Sequence, residues 1–248
     1  MTLALVGTGQ MGQAVKRRAE GELHAVAAEF DSEHPLADAD GPAAFNGADV
    51  AIDFTLPRVA LDHIERYCRW GQPAVVGTTG WYDERDQVRA WTREHDARLL
   101  YAPNFSIGVA LLRTALEAVA PLLDDLDEYD PFVHEMHHTK KADSPSGTAR
   151  MLGEILRDHL ARKKRLEPEA QHAPIEDEAL HVSSTRAGTV YGRHTVGLDS
   201  VFDQVRLEHE AKSREGFAAG VLHAARWLTA QEEPGLYTLD DALRARGA

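Results

Sequence analysis

A histidine- and lysine-rich segment spans residues 134–150 and reads HEMHHTKKADSPSGTAR. It places His137 and His138 side by side and Lys141 shortly after them, in a chain whose formal net charge is −13. Imidazole and ammonium groups serve as general acids and as counter-charges for carboxylates. We therefore predict that this segment is the reaction centre for an acidic small molecule.

The segment closes with a Ser-Gly-Thr turn that runs into MLGEILRDHLA, where apolar residues recur with the period of a helix. The turn is predicted to be the N-terminus of that helix. Free backbone N–H groups and the helix dipole make such an end an anion site. Ser146, Gly147 and Thr148 are therefore predicted to bind an anionic group of the substrate.

Other interpretations of the same residues remain open at this point. Adjacent histidines on a strand face opposite ways, so one can act while the other binds, but exposed imidazoles and solvated lysines are common and need no function. A zinc site of the helical H-E-x-x-H type is not indicated, because Glu135 precedes the histidine pair on a strand. No metal is predicted.

The chain begins with an apolar run, TLALV, followed by the glycine loop GTGQMG and a helical stretch over residues 13–19. This order of strand, glycine turn and helix is typical of dinucleotide binding, although a lone glycine triplet also fits an ordinary βα turn. Gly7 would permit the tight turn, Gly9 would let the backbone approach a pyrophosphate, and Gly12 would let helix and strand pack closely. The predicted cofactor-binding residues of the loop are Gly7, Thr8, Gly9, Gln10, Met11 and Gly12.

A second apolar run ends at Glu29, near the offset at which an acidic residue meets the adenosine ribose hydroxyls. The following residue, Phe30, is not basic, and the nearby Asp31 and Glu33 would repel a 2′-phosphate. NADH is therefore predicted to be preferred, with NADPH possible because Arg17 or Arg18 could reach the phosphate.

Three more strand-like runs end at Thr55, Gly80 and near Ser106, with helical segments over 58–69 and 83–95 between them. This alternation predicts an α/β fold with a parallel, doubly wound Rossmann-type sheet. Ligands of such sheets lie outside the carboxyl ends of the strands. The residues predicted there are Phe54, Thr55, Gly77, Thr78, Thr79, Ala102, Pro103, Asn104 and Phe105.

The pattern changes after residue 105. Long helices, a strand that enters the histidine segment, a polar and mobile stretch over 164–178 and three alternating β runs predict an α+β domain with an open mixed, largely antiparallel sheet. A helix over 215–229 is predicted to return to the first domain. The predicted domains are residues 1–104 with 216–248, and residues 105–215.

Composition limits the function classes. With 40 acidic against 27 basic residues, the chain does not suit nucleic acid or an anionic membrane. It has no apolar run approaching about 18 residues and no basic leader, so we expect a cytoplasmic protein. The single cysteine, Cys68, is predicted to lie in the core.

The central segment resembles the signature E-x-H-H-x-x-K-x-D-x-P-S-G-T-A of the dihydrodipicolinate reductase family, also called 4-hydroxy-tetrahydrodipicolinate reductases. The matches GTGQMG, DFT, VGTTG, PNFSIGV, RAGTVYGRH and HEAKSREGFAAG extend the resemblance over essentially the whole chain. Two departures concern the cofactor: the glycine loop is one residue shorter than the G-x-x-G-R-M-G form, and Phe30 replaces an arginine that supports NADPH in some members.

The resemblance implies a role for each matching residue. His137 is implied to be the acid/base histidine and Lys141 the proton donor, while His138 joins the Ser-Gly-Thr turn in binding substrate. The implied cofactor segments are residues 7–12, Glu29, residues 77–79 and residues 102–105. The implied assembly is a homotetramer built through the sheets of the second domain.

The implied reaction is hydride transfer from the reduced nicotinamide to C4 of a cyclic imine dicarboxylate, with loss of its 4-hydroxyl group. The resulting enamine is protonated by Lys141 or His137, which gives tetrahydrodipicolinate for lysine biosynthesis. Domain closure about hinges near Asn104 and Glu215 is expected. The alternatives are a dehydrogenase acting on aspartate or diaminopimelate, and a catalytically idle dinucleotide sensor.

Overall fold

A computed structural model of the chain describes residues 1–244. They divide into two compact units. Unit 1 contains Met1–Ser106 together with the described chain from Arg214 onward, and unit 2 contains Ile107–Ser213. No helix of these two units is both long and apolar enough to cross a bilayer.

The strands, in chain order, are β1 (Thr2–Val6), β2 (Ala25–Phe30), β3 (Val50–Asp53), β4 (Ala74–Val76), β5 (Arg98–Tyr101), β6 (Asp130–His137), β7 (Arg165–Glu167), β8 (Ala179–Arg186), β9 (Arg193–Asp199), β10 (Gln204–Glu210) and β11 (Gly235–Thr238). The helices are α1 (Gln10–Gly21), α2 (Pro57–Arg69), α3 (Arg85–Glu94), α4 (Ile107–Val119), α5 (Gly147–His159), α6 (Glu215–Thr229) and α7 (Leu239–Arg244).

Unit 1 is built on a parallel sheet with the order β11-β5-β4-β3-β1-β2 among the described residues. Alternate residues of β1 enter different cores: Leu3 and Leu5 pack with α1, α6 and α7, whereas Ala4 and Val6 pack with α2 and α3. A parallel sheet covered on both faces requires strands that are apolar on both sides. The predicted doubly wound α/β architecture is confirmed.

Cys68 lies in the second of these cores and is fully buried, as predicted. Burial, followed by the charge of Glu65, raises the pKa of its thiol to about 12. A thiol of this kind stays protonated and behaves as a small apolar side chain.

Unit 2 contains a mixed sheet with the order β10-β9-β6-β8-β7 within the described chain. Strand β9 runs antiparallel to both β6 and β10, whereas β8 runs parallel to both β6 and β7. The sheet is therefore mixed as predicted, but it is not largely antiparallel, because two strand pairs are parallel and two are antiparallel. Helices α4 and α5 cover one face through a core that includes Leu116, Leu152 and Val133.

Two short strands were not predicted from the sequence. Within the stretch over 164–178, predicted to be polar and mobile, residues Arg165–Glu167 form β7, which pairs with β8 while Leu166 packs against the unit 2 core. One apolar residue between charged neighbours gives no period to detect. The C-terminal β11 extends the unit 1 sheet next to β5, and only Leu236 and Tyr237 of this strand are apolar, so it also gives little pattern.

Candidate active site

His137 is the last residue of β6, and its side chain lies on the buried face of the sheet. Alternate residues of this strand, including Val133, Glu135 and His137, are buried, which is the period of a strand packed on one side. The same alternation that directs Val133 into the core therefore directs the side chains of Glu135 and His137 to the same face of the sheet. His138 follows the strand and is only half-buried.

Glu135 is fully buried, and its two carboxylate oxygens have different surroundings. Oε1 accepts hydrogen bonds from the backbone N–H of Ser146 at 3.0 Å, from Ser184 Oγ at 2.8 Å and from Arg186 Nη2 at 2.7 Å. Oε2 lies 2.5 Å from His137 Nδ1, close enough for an ion pair although outside hydrogen-bond alignment. The glutamate thus connects the imidazole to the turn before α5.

These contacts determine the charge of Glu135. Burial acts to raise the pKa of its carboxyl group, but the close contact with His137 and the hydrogen bonds from Arg186, Ser184 and Ser146 outweigh burial and hold that pKa well below its usual range. The charged carboxylate of Glu135 holds the imidazole of His137 in place from its Nδ1 side. This is the arrangement in which a third group orients a catalytic base.

His194 completes the buried cluster from the neighbouring strand. It lies opposite Glu135 in the β6–β9 register, its Nε2 is 3.3 Å from Ser146 Oγ, and its ring centroid is 5.1 Å from that of His137. Burial, with a further contribution from His137, lowers the pKa of His194 to about 4. His194 is therefore neutral near pH 7 and can accept or donate a hydrogen bond without adding charge.

The helix start predicted at the Ser-Gly-Thr turn is confirmed. Ser146 is the N-cap of α5, and its Oγ accepts a hydrogen bond from the backbone N–H of Ala149 at 3.2 Å. Gly147 is exposed and Thr148 is half-buried, so the first turn of the helix is open to an anion. The first turn itself contains no acidic residue, but the carboxylate of Asp143 in the preceding loop contacts the backbone N–H of Gly147.

Lys141 lies in the loop between β6 and α5. Its Nζ is 2.7 Å from Asp143 Oδ1, and the lysine side chain is 24% exposed. Arg186, which contacts Glu135, also donates a hydrogen bond of 2.5 Å to the carbonyl of Asp143. The arginine thus connects the buried carboxylate to the loop that carries the predicted proton donor.

The structure adds Glu135, Arg186 and His194 to the site predicted from the sequence. All three fall in segments quoted above for the resemblance, but side-chain roles were assigned only to the histidine pair, the lysine and the turn. Glu135, His137 and His194 also bring one potential metal-ligand atom each within 4.8 Å of one another. Sequence reasoning could not find this cluster because two of its members come from β6 and one from β9.

The glycine loop of unit 1 has the close contacts that dinucleotide binding requires. Gly7 has a φ of +92°, and a Cβ there would lie 2.2 Å from the carbonyl oxygen of Phe54. A Cβ on Gly12 would lie 2.1 Å from the carbonyl oxygen of Gly7, whereas one on Gly9 would meet nothing within 4 Å. The backbone is therefore tightly packed at Gly7 and Gly12 and open at Gly9, directly before the N-terminus of α1. An open backbone at a helix N-terminus suits a pyrophosphate.

The loop shares a cavity of about 270 Å³ with the ends of β3 and β4. The lining residues are Met11, Phe54, Thr55, Pro57, Gly77, Thr78 and Thr79. Except for Pro57, all were predicted from the sequence as cofactor-binding residues. Of the predicted segment after β5, Ala102 and Phe105 are buried in the core, Pro103 is exposed and Asn104 is half-buried.

A buried carboxylate, which the sequence analysis did not assign, organises this end of the sheet. Asp53 Oδ1 accepts hydrogen bonds from Thr55 Oγ1 at 2.7 Å and Thr78 Oγ1 at 3.0 Å. Asp53 Oδ2 lies 2.8 Å from the hydroxyl of Tyr67 and 2.9 Å from Nδ1 of His63. Asp53 thereby fixes two neighbouring loops of the predicted cofactor site relative to α2.

Glu29, predicted to meet the adenosine ribose, lies at the end of β2 and is paired with a cation. Lys16 Nζ from α1 is 2.6 Å from Glu29 Oε1. The following Phe30 turns the opposite way, since its side chain is buried and its ring centroid is 5.6 Å from that of Phe45.

A parallel nucleotide-binding sheet with an open glycine loop, and a separate unit with a buried histidine–glutamate pair beside a helix N-terminus, define a dinucleotide-dependent oxidoreductase. Residues 1–105 match the family described as "Dihydrodipicolinate reductase, N-terminus", and residues 108–243 match "Dihydrodipicolinate reductase, C-terminus". The chain belongs to the dihydrodipicolinate reductase family.

Relatives agree with this assignment. The 4-hydroxy-tetrahydrodipicolinate reductase of Christiangramia forsetii is 32% identical over 98% of this chain and 98% of its own length. That of Archaeoglobus fulgidus is 38% identical over 79% of this chain and 76% of its own length. The dipicolinate-bound dihydrodipicolinate reductase of Paenisporosarcina sp. TG-14 has the same fold, with a TM-score of 0.76 at 22% identity over 96% of this chain and 97% of that one.

Proposed function

We propose that this protein is a 4-hydroxy-tetrahydrodipicolinate reductase, which uses NADH in preference to NADPH to produce tetrahydrodipicolinate in the diaminopimelate and lysine pathway. The observation that carries the proposal is the buried Glu135–His137 pair, fixed by Arg186 and joined through the Ser146 N–H to the start of α5. This arrangement combines a proton donor with an anion site. Both are needed by a reaction that reduces a cyclic imine dicarboxylate and protonates the resulting enamine.

The residues of unit 2 have different roles in binding the substrate. The backbone N–H groups of Gly147 and Thr148 bind one carboxylate, because they lie at the positive end of the helix dipole of α5. His138 and Lys141, in the preceding loop, provide counter-charge for the other carboxylate. Binding both carboxylates orients the ring so that its nitrogen and C3 face the proton donors.

Proton transfer is assigned to Lys141 and His137. The ammonium group of Lys141 is held near Asp143 and can deliver a proton to the enamine formed by reduction. The imidazole of His137, kept in place by Glu135, can deliver or restore that proton. A Cβ on Gly192 would lie 2.9 Å from His137 Nε2, so the glycine leaves the distal nitrogen of the imidazole uncrowded.

The residues of unit 1 hold the dinucleotide. Gly7–Gly12 and the N-terminus of α1 bind the pyrophosphate, Glu29 accepts the ribose hydroxyls, and the ends of β3 and β4 receive the nicotinamide half. When bound, the reduced nicotinamide supplies the hydride. The Asp53 network holds Thr55 and Thr78 in place, so this part of the site is organised before the dinucleotide arrives.

We further propose a cytoplasmic homotetramer, in which the sheet of unit 2 forms subunit contacts. The support is a group of exposed apolar residues at the turn into β10 and on β10 itself, namely Val201, Phe202 and Val205. Side chains of this kind on an otherwise acidic surface favour burial against another copy of the chain.

The direct test is oxidation of NADH by the purified protein with freshly generated 4-hydroxy-tetrahydrodipicolinate. We expect turnover with this substrate and none with aspartate or diaminopimelate in the presence of NAD⁺. Retained NADH binding without turnover would support an idle dinucleotide sensor. Oxidation of diaminopimelate would instead identify a dehydrogenase of the same architecture.

A further inference from the structure

Three consecutive basic residues of α1 have different partners, and only one of them faces Glu29. Lys16 Nζ lies 2.6 Å from Glu29 Oε1. Arg17 lies 3.7 Å from Glu215, and Arg18 lies 2.6 Å from Glu22. Neither of the two arginines considered as phosphate partners in the sequence analysis is paired with Glu29, and the ammonium group of Lys16 is the cation at the end of β2.

The pair formed by Lys16 and Glu29 changes the charge that a 2′-phosphate would meet. Glu29 alone would repel a phosphate monoester, which carries about −1.5 to −2 charge near neutral pH. Lys16 offsets the charge of the carboxylate, and the hydrogen bond and charge of Glu29 raise the pKa of the lysine, so it stays protonated. The site is therefore not uniformly acidic.

Lys16 is also free to change partner. The side chains of Lys16 and Glu29 are 30% and 36% exposed, and ion pairs with this much solvent contact are weak and easily broken. A lysine has a flexible stem of four carbons and a compact charge. The ammonium group can therefore leave the carboxylate for a phosphate that binds beside it.

Asp31, the nearer of the two other acidic residues of this segment, has its carboxylate engaged within its own turn. Asp31 Oδ1 accepts hydrogen bonds from the backbone N–H groups of Glu33 at 2.8 Å and His34 at 2.9 Å. The Asp31 carboxylate is thus directed onto its own turn. Phe30, buried against Phe45, contributes no charge at all.

We infer that Lys16 is the residue that permits NADPH to bind, by exchanging its contact with Glu29 for one with the 2′-phosphate, so that the preference for NADH is below tenfold. The inference rests on the proposed function and refines it. It also sets a limit on the preference for NADH that the acidic residues of the sequence predict. The Glu29 carboxylate favours the free ribose hydroxyls, and Lys16 limits how far that preference extends.

The test compares Kd for NADH and for NADPH by quenching of protein fluorescence, without substrate. Lys16→Ala should raise the ratio of Kd for NADPH to Kd for NADH about tenfold, and Lys16→Arg should keep it near the wild-type value. Arg18→Ala is the matched control, because it removes the same charge from the same helix, and it should leave the ratio unchanged. In the wild type, Kd for NADPH should also rise more steeply with salt than Kd for NADH.

Two results would overturn the inference: an unchanged ratio in Lys16→Ala, or an equal change in Lys16→Ala and Arg18→Ala, which would indicate a general effect of net charge. A wild type that binds neither dinucleotide would contradict the proposed function as well. NADH binding combined with an unaffected ratio would contradict the role of Lys16 alone, so the two failures are distinguishable.

Discussion

Glu135 and His137 point to the same side of β6, with Oε2 of the glutamate 2.5 Å from Nδ1 of the histidine. Their separation by two positions is the repeat of a strand, so the backbone itself brings the two side chains together. Because Glu135 is fully buried and receives Arg186 and the Ser146 N–H on its other oxygen, it cannot turn away from the imidazole. The pair is a rigid part of the sheet.

Glu135→Gln should lower kcat by about 10- to 100-fold, because the imidazole of His137 loses the carboxylate that orients it. The Kd for NADH, which concerns unit 1, should not change. Ser184→Ala is the control: it removes one hydrogen bond from Glu135 and keeps the charge, so kcat should fall less than about threefold. A folded Glu135→Gln variant with wild-type kcat would exclude this positioning role.

His137→Ala and Lys141→Ala should each lower kcat by about 10² or more, the usual scale for loss of a general acid. Lys140→Ala provides the comparison, since Lys140 is an exposed neighbour with the same charge. Steady-state kinetics with NADH and the imine substrate would measure all three variants. Wild-type kcat in both His137→Ala and Lys141→Ala would refute the assigned roles.

The fold was predictable where the pattern repeats over many residues. The parallel sheet of unit 1 was predicted from apolar strand-like runs that alternate with helical segments. The pattern failed for β7 (RLE) and β11 (GLYT), which contain few apolar residues, whereas β4 (AVV) is equally short but entirely apolar. Their pairing depends on partners far away in the chain, and local periodicity carries no information about such partners.

The site was predictable where its residues are neighbours in sequence. The histidine pair and the Ser-Gly-Thr turn lie in one segment, so their chemistry could be inferred from spacing. Arg186 and His194 reach Glu135 from β8 and β9, which lie on either side of β6. The order of strands in a mixed sheet does not follow from the sequence of strands, and so neither residue could be assigned to the cluster in advance.

Asp53→Asn should lower the free energy of unfolding by about 2–3 kcal/mol, because the new amide group presents hydrogens to donors from Thr55, Thr78 or Tyr67 in a fully buried site. Tyr67→Phe removes a single donor and should cost only about 1 kcal/mol. Urea denaturation would measure both changes. Equal stability of Asp53→Asn and wild type would mean that the buried hydrogen bonds contribute little.

The proposed tetramer predicts a light-scattering mass of four times the 27.3 kDa of the single chain. Phe202 is 78% exposed, and Phe202→Asp should shift the protein towards smaller species if this side chain lies in a subunit contact. Leu23→Asp is a suitable control, because Leu23 is 94% exposed in unit 1. A monomeric wild type at working concentration would rule out the tetramer.

The last prediction concerns acid stability and follows from His194. Its pKa is about 4 in the folded chain against an ordinary value of 6.5, because burial, and then His137, disfavour its charged form. Below the ordinary value the unfolded chain binds a proton that the folded chain does not, so stability should fall as the pH drops from 6.5 to about 4. The full loss is on the order of 3 kcal/mol. The lowered pKa of Glu135 acts in the same direction, but only below its ordinary value of 4.5.

Free energies of unfolding in urea, measured at intervals between about pH 7 and pH 4.5, should therefore decline in the wild type and much less in His194→Gln. His34→Gln, which replaces a histidine with an 82% exposed side chain, should decline like the wild type. Parallel curves for wild type and His194→Gln would show that another group causes the acid sensitivity.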